Sequence, residues 1–314
     1  MMSKGVVSAC PKVYIIILHL KNILCLADCI SSLSKIRYTN FDIFVVHNGP
    51  KTSFLRDALR PYSPHIKEII DTGSNAGFAA GNNIGIREAL KFQANYILLL
   101  NDDTVVAPDF LDALLETAEM TPDAGIVGPK IYYFDESRKV WFAGAHFDYE
   151  TCILTTPGSD RMDDGSISEP TESDYITGCA LLIKRQVVER IGLLDERFFL
   201  YWEDVDWGLR AKKAGFENII VPQSRIWHKV SASSGGMDSA SRIYHKTRSH
   251  LLFARLHAPK TLKSLHSGFF RDIVWLLVKS KDKARIARAR AYMAAMIDYH
   301  RDRTDRGPHW LWSD

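Results

Sequence analysis

At 314 residues, 46% hydrophobic and 25% charged, the chain can bury one large core or two modest ones, which excludes intrinsic disorder, a collagen-like fibre and a disulfide scaffold. The formal net charge of +3 hides an asymmetry: residues 242–314 hold 16 Lys and Arg against 6 Asp and Glu, so the tail carries +10 and the rest −7. No window approaches the ~18 apolar residues of a membrane-spanning helix, because the run at 13–18 is cut by His19 and Lys21.

Taken in chain order, residues 13–18 and 42–46 are β-branched runs that read as buried parallel strands, the second ending at the turn signal Asn48-Gly49-Pro50. Between them, Leu26, Ile30, Leu33 and Ile36 recur near helical spacing, so the opening predicts strand, helix, strand. Residues 67–70 form a third strand, 82–94 a helix, and 96–100 a fourth strand that runs straight into Asn101-Asp102-Asp103. Acidic residues thus stand where open α/β sheets bind ligands. A helix with proline in its first turn follows at 108–120, then strands at 126–134 and 140–147. Residues 155–173, rich in Thr, Pro, Gly, Asp and Ser, predict a mobile surface loop, followed by a strand at 175–183 and a helix at 185–190. Another helix begins near Glu203, and a strand at 218–221 closes the sheet before Pro222.

Three segments carry chemistry. Oxygen-rich side chains at a strand end, as in Asn101-Asp102-Asp103, suit a hard divalent cation holding diphosphate oxygens, although an Asx turn explains them equally well. In residues 199–207, Glu203, Asp204 and Asp206 sit among Phe199, Tyr201, Trp202 and Trp207; aromatic walls exclude water and raise a carboxylate's proton affinity, which suits a general base. Helix N-terminal charge accounts for one or two of these acids but not for the four aromatics. Asn75-Ala76-Gly77-Phe78-Ala79-Ala80-Gly81-Asn82-Asn83 has the look of a phosphate-cradling loop opening a helix. Its glycine spacing matches neither the dinucleotide-binding nor the P-loop pattern, which argues against a nicotinamide dehydrogenase and a P-loop ATPase. His228 follows a strand; a lone histidine is more often a packed or surface residue than a ligand.

Together with Thr177-Gly178-Cys179 and Arg248-x-x-Leu251-Leu252-Phe253-x-Arg255, these segments, in this order, resemble the motifs of family 2 inverting glycosyltransferases over about residues 12–257. The most similar branch is the rhamnosyltransferase-like and galactofuranosyltransferase-like group that builds bacterial surface polysaccharides. The resemblance implies the GT-A fold, a Rossmann-like central, mostly parallel sheet flanked by helices. It further implies a catalytic domain over residues 1–240 and a basic helical C-terminal extension over 241–314. It implies that Asp103 binds Mg2+ or Mn2+, helped by His228, and that Asp102 or Asn101 lies toward the ribose. Asp204, beside Glu203, would be the catalytic base that deprotonates the acceptor hydroxyl. Asn75, Gly77, Phe78, Gly81 and Asn82 would serve the donor, and Gly178, Cys179 and Trp202 would lie by the donor sugar or acceptor. The partners implied are a dTDP- or UDP-sugar and a glycan or lipid-linked acceptor. The chain departs from the family where nucleobase contacts are expected, with His47-Asn48 in place of Asp-Asn and His19-Leu20-Lys21 in place of Asn-x-Asn. These departures put the donor base in doubt and motivate a second reading, a catalytically silent relative that binds sugar nucleotide or glycan as an assembly partner. A nucleotidyltransferase is a third, which leaves the aromatic segment at Glu203-Asp204 unexplained.

In the tail, residues 269–278 are followed by Lys279, Lys281, Lys283, Arg285, Arg288 and Arg290, with Ile286, Met293, Met296 and Ile297 near helical spacing. Basic amphipathic helices of this kind lie on an anionic membrane surface, or pack their apolar stripe on the catalytic domain or on a second copy in a homodimer; both readings stay open. Nothing resembles a nucleic-acid recognition module. Five cysteines (Cys10, Cys25, Cys29, Cys152 and Cys179) without a Cys-x-x-Cys pair fit a reducing compartment and read as packing residues. Val7-Ser8-Ala9-Cys10 has the form of a lipoprotein cleavage box but lacks the apolar stretch of ~7 residues or more that precedes one, so export is not expected. The expected location is cytoplasmic, peripheral on the inner face of the cell membrane.

Overall fold

The computed structural model describes residues 10–51, 54–230, 239–281 and 283–312. Its first half alternates strand and helix: β1 (Val13–His19), α1 (Ile23–Leu33), β2 (Phe41–His47), α2 (Phe54–Ala58), β3 (Ile66–Asp71), α3 (Phe78–Lys91) and β4 (Tyr96–Asn101). There follow β5 (Thr104–Val106), α4 (Phe110–Met120), β6 (Ala124–Tyr133), β7 (Val140–Phe142), β8 (His146–Asp148), β9 (Ile153–Thr155), β10 (Thr171–Ser173) and β11 (Ala180–Lys184). The chain ends with α5 (Arg185–Ile191), α6 (Glu203–Lys213), β12 (Glu217–His228), α7 (Ala240–His257), α8 (Leu262–Val278) and α9 (Arg285–His300).

Among the described residues one sheet of ten strands runs in the order β10-β12-β6-β11-β4-β1-β2-β3, with β5 on β12 and β7 on β6; β8 and β9 form a separate hairpin. Six strands, β1 to β4, β6 and β12, share one direction, so the sheet is mostly parallel, with β11 inserted antiparallel between β4 and β6. Val13, Ile15, Ile16 and Ile17 of β1 are wholly buried because helices cover both faces, which is why this strand is continuously apolar rather than alternating. The order β3-β2-β1-β4 reverses direction between β1 and β4, and this switch point opens a crevice at the carboxyl ends of the strands.

Three elements differ from expectation in ways that matter for the site. Helix α3 starts at Phe78, not Asn82, and Gly81 and Gly85 face β1, where a Cβ would come within 2.5 Å of Leu18 and Ile16. Their spacing is a helix-on-strand packing stripe. Strand β11 starts at Ala180, since residues 177–179 turn. Strand β12 does not stop before Pro222: it pairs with β6 up to Val221, leaves residues 222–224 unpaired, and resumes pairing at Arg225. Proline is tolerated at such an irregularity because no ladder N–H is needed from it. Beyond the break, Ser224, Ile226 and His228 are buried while Gln223 and Arg225 face out, and the Ser224 hydroxyl donates to the Phe110 carbonyl at 2.8 Å.

The loop at 155–173 is fastened at several points rather than mobile: the Asp163 carboxylate accepts from the buried Lys130 ammonium at 3.0 Å and from the Tyr132 hydroxyl at 2.6 Å, Met162 bridges to Lys139, and residues 171–173 pair with β12 as β10. Helix α7, which falls in the expected extension, supplies Leu252, Phe253 and Ala254 to a core cluster shared with Phe147, Phe198, Val205 and Leu209. Helix α9 is fastened to α7 by the Tyr244 hydroxyl, which donates to Asp298 at 2.7 Å and accepts from Arg248 at 3.0 Å. No helix among the described residues is long and apolar enough to cross a membrane.

Candidate active site

The carboxyl ends of β4, β1, β2 and β3 deliver, side by side, Asp102, His19, His47 and Asp71. His19 Nδ1 lies 2.7 Å from Asp102 Oδ2, His47 Nδ1 lies 3.0 Å from Asp71 Oδ1, and the two imidazoles stack with centroids 6.0 Å apart. Burial pushes the Asp102 carboxyl up while its bond to His19 pulls the other way; the bond to His47, helped by Arg56, holds Asp71 below the usual carboxylate range. Each histidine is therefore oriented by an acid on the neighbouring strand. Asp71 was not among the residues expected at the site, because its partner lies 24 positions away and no local pattern marks the pair.

Asn48, just beyond β2, organises the next loop. Its side-chain oxygen accepts from the Ala76 N–H at 2.8 Å and its amide donates to the Gly77 carbonyl at 3.0 Å, while Asn75 Oδ1 accepts from the Gly77 N–H at 3.0 Å. Gly77 has φ = 89°, and a Cβ there would collide with the Phe199 carbonyl oxygen, which itself accepts from the Phe78 N–H at 2.7 Å. The N–H groups of Ala76, Gly77 and Phe78 are all engaged within the fold, which removes these three from the phosphate cradle expected here. Gly81 packs on Leu18, and the buried Asn82 donates to the Phe78 carbonyl at 3.0 Å, so both serve packing. The loop instead ties the start of α3 to the aromatic segment before α6.

Asp103 and His228 meet through strand pairing. Strand β5 runs antiparallel to β12 with Thr104 opposite His228, which sets His228 Nε2 3.1 Å from Asp103 Oδ1. Both side chains are buried; Asp103 Oδ1 is met by the His228 imidazole in this ion-pair contact, while His228 Nδ1 has no hydrogen-bond partner. Burial alone would lower the proton affinity of His228, but the adjacent Cys179 and the Asp103 carboxylate override it and raise it. Asp103 and His228 are a pair rather than a larger cluster: among the described residues no three His, Cys, Asp or Glu side chains gather as a metal site.

The Gly178-Cys179 turn links this pair to α6. The Cys179 carbonyl accepts from the Asn101 N–H at 2.9 Å, and the Gly178 N–H donates to Asp204 Oδ2 at 2.9 Å. Gly178 admits no side chain, since a Cβ would press 2.9 Å from the Phe78 ring. Asp204 and Glu203 open α6 behind two residues with left-handed backbone, Tyr201 at φ = 70° and Trp202 at φ = 73°, a strained conformation for aromatic side chains. Trp202 is held by stacking on His250 at 4.2 Å and on Phe253 at 4.6 Å. Burial raises the Glu203 carboxyl well above the ordinary glutamate range, reinforced by Asp204, and Glu203 Oε2 has no partner. Asp204 keeps part of its surface exposed and so open to a ligand; desolvation of its carboxyl by the surrounding groups raises its proton affinity in spite of bonds from the Gly178 and Val205 N–H groups. Asp206 is structural, held by Arg210 and His257 at 2.7 Å each. Arg242 and Lys246 of α7 approach the Tyr201 ring at 5.7 and 5.6 Å, another pair that the sequence reading did not single out.

A family profile described as "Glycosyltransferase like family 2" matches residues 11–249. The N-acetylglucosaminyl-diphospho-decaprenol L-rhamnosyltransferase of Mycobacterium tuberculosis is 27% identical over 267 residues, covering 79% of this chain and 83% of the relative. The dTDP-rhamnosyl transferase RfbF of Shigella flexneri is 25% identical over 284 residues, covering 88% and 91%. Among solved structures, GalNAc-T7 with UDP, GalNAc and Mn2+ aligns with a TM-score of 0.61 at 14% identity, over 96% of this chain and 59% of that one. The mannosyltransferase PcManGT of Pyrobaculum calidifontis, in complex with GDP-Man and Mn2+, aligns at 0.57 and 14%, over 94% and 88%. The chain thus belongs to glycosyltransferase family 2 and is a glycosyltransferase of the GT-A fold.

Proposed function

We propose that this enzyme transfers rhamnose or a similar hexose from a dTDP- or UDP-sugar to a hydroxyl of a glycan or lipid-linked acceptor, inverting the anomeric configuration. The setting proposed is bacterial surface polysaccharide synthesis at the cytoplasmic face of the membrane. Sugar and acceptor class are supported by the two rhamnosyltransferases, one of which is named for a diphospho-decaprenol substrate. The observation that carries the mechanism is Asp204, a partly exposed carboxylate of raised proton affinity, fixed by the Gly178 N–H and backed by a strained aromatic segment.

Asp204 takes the proton of the acceptor hydroxyl while the freed oxygen pair forms the bond to the anomeric carbon and the sugar's bond to the nucleotide diphosphate breaks. Burial raises the proton affinity of Glu203, which lessens the negative charge beside Asp204. Trp202 walls the site against water. Asp103 and His228 fit a divalent cation, because a buried carboxylate oxygen and an imidazole nitrogen, both ligand types for such an ion, face each other 3.1 Å apart. Bound there, Mg2+ or Mn2+ would offset the charge of the donor diphosphate.

A screen of UDP-, dTDP- and GDP-sugars with Mn2+, read as transfer and as donor hydrolysis, identifies the donor. In the active pair, Asp204→Asn should cut transfer by ~10²- to 10⁴-fold while leaving donor affinity nearly unchanged. Turnover at the parent rate in that variant would remove Asp204 from the chemistry.

A further inference from the structure

The apolar residues of the tail divide into two sets. Ile273 and Leu276 of α8 close on Ala289, with Tyr292 and Met296 of α9 packed against them, and this seam accounts for the packing of the two helices on each other. A second set is left outside: Phe270 is 62% exposed, Trp275 55%, Val278 75% and Ile286 67%, with Val274 and Leu277 also exposed. Four of these six fall within residues 274–278, so the end of α8 and the start of α9 present an apolar end to solvent rather than scattered residues.

The charge around this end is one-sided. From residue 262 to 297 the sequence holds eight Lys and Arg against Asp272 and Asp282, a net charge of +6. Lys279, Lys281 and Lys283 are exposed and, among the described residues, pair with no carboxylate. Next to Phe270, at the root of α8, a groove of about 930 Å³ is lined by Lys260, Lys263, His266, Ser267 and Arg271, a donor set suited to a phosphate group. An apolar end with exposed tryptophan and phenylalanine, ringed by cations and adjoining a cationic groove, complements a surface that is anionic outside and apolar a few ångströms below.

We infer that the α8–α9 hairpin docks on an anionic lipid surface, its Phe270, Trp275, Val278 and Ile286 side chains entering the acyl boundary and the Lys260–Arg271 groove taking a lipid phosphate. The inference extends the proposed reading of a lipid-linked acceptor, but its test reads binding without turnover, so either can fail alone. The full-length protein is floated with vesicles of phosphatidylglycerol and phosphatidylcholine in equal parts, and with phosphatidylcholine alone, at low and high salt. Flotation is expected with the anionic vesicles, weakening by about fivefold in partition coefficient for each basic residue removed and on raising the salt. The double variant Trp275→Ser, Val278→Ser should float at least tenfold less, with an unchanged melting temperature, because neither side chain lies in the seam. Lys263→Glu with Arg271→Glu should lose the preference for the anionic vesicles. Absence of flotation, equal flotation on neutral vesicles, or flotation untouched by both variants would overturn the inference. So would a dimer of the parent protein that the Trp275→Ser, Val278→Ser variant dissociates, since a second copy would then cover this face.

Discussion

The two sides of the crevice at the sheet's carboxyl edge are built from similar residues and finished differently. On the parallel side, His19 is bonded to Asp102, His47 to Asp71, and Asn48 to three groups of the following loop. On the other side, His228 Nδ1 and Glu203 Oε2 are buried without hydrogen-bond partners, Asp103 Oδ1 is met by the His228 imidazole, and Tyr201 and Trp202 carry left-handed backbone. Folding completes the first side and leaves the second short of partners. Since a buried, unpartnered polar atom costs ~1–3 kcal/mol, a fold retains several in one place where a ligand makes up the deficit. In the function proposed above, the unfinished side is the one that would hold and move charge.

The comparison breaks most sharply at Asp103. Asp103→Ala should abolish Mn2+-dependent donor binding and lower transfer on the order of a thousandfold, as calorimetry with and without EDTA and a transfer assay would record. Equal donor affinity with and without EDTA in the parent protein would show that this pair holds no cation. On the finished side, Asp71→Ala removes only an orienting group, leaving the buried His47 Nδ1 unsatisfied at a cost of ~1–3 kcal/mol. The expected result is a several-fold rise in the donor KM with kcat nearly held, and a melting temperature lower by ~2–6 °C. A fall in kcat alone would place Asp71 in the chemistry and erase the distinction between the two sides.

The smallest effect sharpens the comparison through Glu203. Its carboxyl has a higher proton affinity folded than unfolded, so it favours the folded state fully below the unfolded glutamate pKa of ~4.3, and that contribution is lost as pH rises toward the raised folded value. Glu203→Gln escapes this loss. The variant should therefore melt a few degrees higher than the parent near neutral pH, by ~1–3 °C, and at the same temperature near pH 4. A lower melting temperature at neutral pH would mean that Glu203 is ionised and partnered in the fold.

Much of this was legible in the sequence where a residue's role is set by its neighbours in the chain. The β-branched runs of β1 and β2 announced buried parallel strands, and the aromatic-acidic run announced the opening of α6. What could not be read was set by contacts at a distance. Gly81 was placed in an anion-cradling loop ahead of the helix, whereas Gly81 and Gly85 both lie in α3 and let it approach Leu18 and Ile16. Asp71 fell just past the strand expected at 67–70 and carried no signal until β2 laid His47 beside it. Trp202 could be flagged as aromatic, but its stacking on His250, 48 positions later, depends on how α7 returns to the sheet.

The unpaired residues Pro222, Gln223 and Ser224 in β12 act as a counter for everything after them. Side chains alternate faces along a strand, so three extra residues between the two stretches paired with β6 fix whether His228 points into the sheet's buried layer or out of it. Removing one of them, or adding one, would keep the composition, the charge and every ladder partner up to Val221, yet would turn His228 away from Asp103 and Trp227 toward it. The spacing between the sheet and His228 is therefore fixed modulo two. Single-residue insertions here should inactivate where paired insertions are partly tolerated, a constraint of parity rather than of length.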